Sequence, residues 1–79
     1  MTDDTLPRVF ALVERTLPDA GPVSDPDAEL DALGLTSLKL VELLVALESE
    51  FGVSLPEELV APETFRTPAT IAEAVSALR

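Results

Sequence analysis

The stretch from Ser37 to Phe51, SLKLVELLVALESEF, runs fifteen residues without a proline or a glycine and stops at Gly52. Elsewhere in the 79-residue chain, seven prolines and the remaining glycines break the sequence into shorter pieces. The stretch therefore reads as a helix, with a cap before it and glycine as its stop. At about 100° per residue, Leu40, Leu43, Leu44, Leu47 and Phe51 share one wide face, and Leu38, Val41 and Val45 fall on nearly the opposite side. A helix on the outside of a small bundle needs only one buried face. The second stripe, with Glu42, Glu48 and Ser49 around it, has two readings. Either the preceding loop covers it or its residues are singly exposed, or it is a partner-binding patch with helix-in-groove spacing.

The other elements follow from the same rules. A first helix is expected from about Thr5 to Thr16 or Leu17, with Asp3 and Asp4 where a cap and the helix dipole favour acids. Leu6, Val9, Phe10, Val13 and Leu17 give its apolar stripe, and Pro18 ends it. A long loop to Leu35 is expected next, pinned by Val23, Leu30 and Leu33 and with a helical turn over Asp27–Leu33. After Gly52, Pro56–Ala61 reads as a short third helix closed by Pro62. Thr67-Pro68 opens the last helix, with Ile71, Val75 and Leu78 facing inward and Phe65 packing ahead of the cap. No alternating runs with hairpin turns suggest strands. The expectation is a single domain over residues 1–79, all-α, a four-helix bundle with a short third helix and a long loop between helices 1 and 2.

At this size one core is about all the chain can build, and an enclosed pocket would compete for the same apolar side chains. Apolar residues make up 47% of the chain, enough for a folded domain despite the charge. Fifteen acids against five bases give a net charge of −10, which disfavours nucleic acid and anionic membranes as partners. Between Asp25 and Glu63 the only base is Lys39; the four arginines lie nearer the two ends. A field of one sign over the middle suits a basic partner, although it also serves solubility. Neither cysteine nor histidine is present, which removes thiol nucleophiles, Cys/His zinc sites and histidine acid–base chemistry. No apolar run spans a membrane, and the start lacks a signal-peptide pattern, so a cytoplasmic monomer is expected. The initial Met suggests a complete, free-standing protein.

Thr36 and Ser37 open the long helix, and only one can be its cap. If Thr36 caps, Ser37 becomes the first helical residue with its hydroxyl free, and a negative group esterified there would sit at the positive end of the dipole. The plain alternative is that the pair does nothing but cap. As a hydrolytic nucleophile Ser37 has no histidine to activate it.

The stretch from Leu33 to Leu59, LGLTSLKLVELLVALESEFGVSLPEEL, resembles the acyl and peptidyl carrier protein family. The likeness lies in Leu33-Gly34 before the serine, Ser37-Leu38 at the helix start, Val41-Glu42-Leu43, Leu47-Glu48, Glu50-Phe51-Gly52 and Leu55-Pro56. The tail from Phe65 to Ala72, FRTPATIA, is more like the peptidyl carriers of nonribosomal synthetases. The residue before the serine is commonly Asp in acyl carriers and His or Asp in peptidyl carriers. Thr36 stands there in this chain, able to cap but uncharged.

The resemblance implies that a phosphopantetheinyl transferase moves 4'-phosphopantetheine from coenzyme A onto Ser37. An acyl- or aminoacyl-activating enzyme would then load cargo as a thioester for downstream condensing or tailoring enzymes. Peptide or polyketide assembly, antibiotic biosynthesis included, is the implied setting, with aminoacyl cargo favoured over fatty acyl. The chain itself would catalyse nothing and hold no metal. Docking would use Thr36, Leu38, Val41, Glu42, Val45 and Glu48, with the loop and third helix contributing. The rival reading is an unmodified acidic helical adaptor that binds a basic partner through the outer face of the long helix. The alternating acids Asp25, Asp27, Glu29 and Asp31 begin like a calcium loop, but Leu30 and Thr36 stand where its glycine and last glutamate belong.

Overall fold

A computed structural model describes residues 4–79. It contains three α-helices among those residues: α1 (Thr5–Thr16), α2 (Ser37–Phe51) and α3 (Pro68–Leu78). Strands are absent among the described residues. Asp4 stands at the cap position of α1 without a side-chain cap bond, and it faces Arg8 at 3.7 Å instead. Asp3 lies outside the described residues.

The expected short helix over Pro56–Ala61 is not one. That stretch forms a single turn of 3-10 helix, Glu57–Leu59, then irregular turns as far as Arg66, so the described residues form three α-helices and not four. The prolines explain it. Pro56 is extended, with ψ of 156°, and Pro62 disfavours helical geometry at Ala61. Too few residues remain between them to offset the cost of nucleating a helix.

Helix α1 packs against both α2 and α3. It contributes Val9, Leu12, Val13 and Leu17 to the core, α2 adds Leu43 and Leu47, and α3 adds Ile71 and Val75. Val23 and Leu30 from the long loop, with Leu55 and Phe65, complete it. The loop is held at three places: the Val23 amide donates to Glu14 Oε2 (2.8 Å), the Leu30 amide to the Arg66 carbonyl (2.9 Å), and the Ala69 amide to the Pro26 carbonyl (2.9 Å).

The far end of α2 is tied to both other helices. Arg8 Nε donates to Glu50 Oε2 at 2.9 Å, and the same side chain reaches the Glu50 carbonyl. Its guanidinium lies 4.5 Å from the centre of the Phe51 ring, and that of Arg79 lies 5.5 Å from it. Arg79 in turn donates to Thr5 Oγ1 at 2.9 Å. The hydrogen bond to Glu50 outweighs desolvation and holds the Arg8 guanidinium above its ordinary pKa.

Candidate functional site

The approach to α2 is fixed by one helical turn, Leu30–Leu33. The Leu35 amide donates back to the Leu30 carbonyl (3.0 Å) and the Gly34 amide to the Asp31 carbonyl (3.2 Å). This pair of bonds ends a turn when the next residue takes a positive φ, and Gly34 does so at 102°. A side chain is rarely tolerated there. The chain leaves the turn with Leu33 and Leu35 packed against the core and Thr36 extended.

Thr36 is the cap. Its Oγ1 accepts from the Lys39 amide at 3.2 Å, and its carbonyl accepts from the Leu40 amide at 2.8 Å. Ser37 is thereby the first helical residue, exposed, with its hydroxyl outside the cap. The amides of Ser37 and Leu38 lie before the first intrahelical bond, so the positive end of the α2 dipole opens beside that hydroxyl.

On the face turned away from the core, Leu38, Val41 and Val45 are 71%, 52% and 59% exposed. The loop does not cover them. Glu42 lies at their edge and pairs with Lys39 at 3.5 Å. Glu48 is placed differently: its Oε2 accepts from the Leu55 amide at 2.8 Å, half-buried, and so holds the chain that returns after Gly52. Thr36, Ser37, Leu38, Val41, Glu42 and Val45 thus form one outward surface, while one oxygen of Glu48 is committed to the fold. On the other flank, a groove of about 190 Å³ runs beside Ser37, lined by Asp31, Leu35, Thr36, Leu40, Pro62 and Phe65. Sequence reasoning did not find this groove, because Pro62 and Phe65 reach it only through tertiary packing.

Among the described residues, no three or more acidic side chains gather as a metal site would need. Asp25 Oδ1 instead accepts from the Asp27 amide at 2.9 Å, a local turn. No helix among the described residues is long and apolar enough to cross a membrane.

Comparison with known proteins matches residues 7–75 to the family model described as the phosphopantetheine attachment site. Aminoacyl carrier protein 1 of Bradyrhizobium diazoefficiens is 33% identical over 70 residues, covering 86% of this chain and 78% of the relative. Aminoacyl carrier protein 2 of the same organism is 36% identical over 62 residues, 76% of this chain and 70% of the relative. Among solved structures, a chain from the Bradyrhizobium japonicum glycine:[carrier protein] ligase in complex with its cognate carrier protein and a glycyl adenylate analogue superposes with a TM-score of 0.83. The two are 26% identical, and the superposition covers 95% of this chain and 99% of that one. The same ligase with glycylated carrier protein gives a TM-score of 0.80 at 26% identity, over 91% and 99% of the two chains.

Proposed function

Because this chain belongs to the phosphopantetheine attachment-site family, whose members carry cargo and are not enzymes, we propose that Ser37 is its attachment residue and that the cargo is an aminoacyl group. The observation that carries the reading is the division of labour at the start of α2. Thr36 makes the cap bond, which frees the Ser37 hydroxyl on an exposed first turn.

The residues suit 4'-phosphopantetheine, the family's prosthetic group. Ser37 Oγ displaces the nucleotide half of coenzyme A and forms a phosphodiester, whose negative charge then lies at the positive end of α2. Such a placement is favourable by about 0.3–1 kcal/mol. The bound group supplies a terminal thiol on which cargo is held as a thioester, a function that a chain without cysteine cannot provide itself. Thr36 keeps the serine in place without adding a charge of its own.

Docking is assigned to the outer face of α2. Leu38, Val41 and Val45 offer a small apolar patch beside the serine, and Glu42 gives it an acidic rim for a basic partner surface. Glu48 contributes to that rim only through the oxygen left free by Leu55. The phosphopantetheinyl transferase and an amino-acid-activating ligase are the partners this face would meet first. Aminoacyl cargo is supported by the names of the two relatives and by the likeness to a carrier bound to a glycine ligase. Condensing or tailoring enzymes of peptide or polyketide assembly are the proposed recipients, on the likeness of the Phe65–Ala72 segment to nonribosomal carriers.

Intact mass tests the reading. Incubated with coenzyme A and a promiscuous transferase, the protein should gain one phosphopantetheine, and Ser37→Ala should gain none. A wild-type chain that never gains mass would instead be an unmodified adaptor.

A further inference from the structure

We infer that cargo attached through Ser37 stays outside the helical bundle, so that this carrier suits short or polar acyl groups and gives a long alkyl chain no shelter. The inference rests on the carrier reading above and narrows its substrate class. Three features carry it.

The interior is closed to solvent. Val9, Val13, Leu30, Leu43, Leu47 and Val75 are each 0% exposed, and Phe65 is 2% exposed. A core packed at native density admits an alkyl chain only by pushing side chains off their rotamers or the helices apart. The groove beside Ser37 does not lead further in. It is open to solvent, its volume of about 190 Å³ is below the range of roughly 300–1,000 Å³ in which ligand pockets enclose their contents, and its buried wall is the Phe65 ring. A larger recess, about 370 Å³, is lined by Asp27, Glu29, Arg66, Thr67 and Thr70, side chains that all carry charges or hydroxyls.

The bundle is also fastened against opening. The Arg8–Glu50 contacts and the Arg79–Thr5 bond join the ends of all three helices around the Phe51 ring. At the other side, the Leu30–Arg66 and Ala69–Pro26 backbone bonds fasten the long loop to the start of α3. Parting the helices for a guest would strain both fastenings.

The experiment compares cargo of two lengths on the same protein. A promiscuous transferase moves acetyl- or octanoyl-phosphopantetheine from the corresponding acyl-coenzyme A onto Ser37, and intact mass confirms each product. Hydroxylamine then cleaves the thioester by attack on its carbonyl, forming the hydroxamic acid and releasing the thiol. The inference expects indistinguishable cleavage rates and thermal midpoints for the two forms, with unchanged amide shifts at Leu43, Leu47 and Val75. Octanoyl cleavage several-fold slower than acetyl, with a thermal midpoint raised by about 4 °C or more, would overturn it while leaving the carrier reading intact. Failure to gain mass in both arms overturns the carrier reading and this inference with it.

Discussion

Helix α2 carries the same kinds of side chain on two faces and treats them oppositely. Leu43 and Leu47 are 0% exposed, whereas Leu38, Val41 and Val45 are more than half exposed. Residue type does not make the difference; the neighbour does. On one side α2 meets α1 and the core, and on the other its apolar side chains are left largely in solvent. Apolar area left in water forgoes about 25 cal/mol per Å², so the outer stripe is a cost to this fold taken alone. The inner face answers to folding; under the proposed function the outer face answers to partner encounter, and substitutions should separate the two.

On stability, the inner face should respond most. Leu47→Ala should destabilise the domain by about 2–5 kcal/mol in urea denaturation, as truncations in a filled core do; a loss below 1 would remove Leu47 from the core and blur the contrast. Next comes the cap between the faces. Thr36→Ala should cost about 0.5–2 kcal/mol, and Thr36→Asp should restore most of that loss while still accepting phosphopantetheine. The outer face should barely register. Val41→Asp and Glu42→Lys should each stay within about 0.5 kcal/mol of the parent, with helicity by circular dichroism retained, yet both should slow phosphopantetheine loading or aminoacyl transfer. Unfolding of either variant would make the outer stripe part of the core. Ser37→Ala should have the smallest thermal effect of all and, in the mass assay, the most complete functional one.

Much of this arrangement is legible in the chain. Both ends of α2 follow from Thr36 and Gly52, whose φ of 64° and amide bond to the Glu48 carbonyl make it the expected stop. The two faces follow from a period of 3.6, and Thr67-Pro68 places the start of α3, where Thr67 and Thr70 form a reciprocal cap. What escaped was contact between distant segments. Periodicity places Glu48 on the flank of the outer stripe, yet the chain returning after Gly52 brings the Leu55 amide to its carboxylate. The stripe of Leu6, Val9, Phe10, Val13 and Leu17 omits Leu12, yet α1 is covered from two sides and buries it. The Arg8–Phe51–Arg79 cluster joins residues 42 and 74 positions apart through Glu50 and Thr5, a pairing no local pattern encodes. Pro56 suits a helix start, but with Pro62 so close behind it permits only one tight turn.

The bond from Arg79 to Thr5 brings the beginning and the end of the described chain side by side, next to Phe51. Ser37 lies at the opposite tip of the same helix, roughly 21 Å away at 1.5 Å per residue. Attachment to a resin or sensor surface beside either Thr5 or Arg79 should therefore orient every molecule alike, serine outward. Loading enzymes supplied in solution should then find the tethered protein as accessible as the free one.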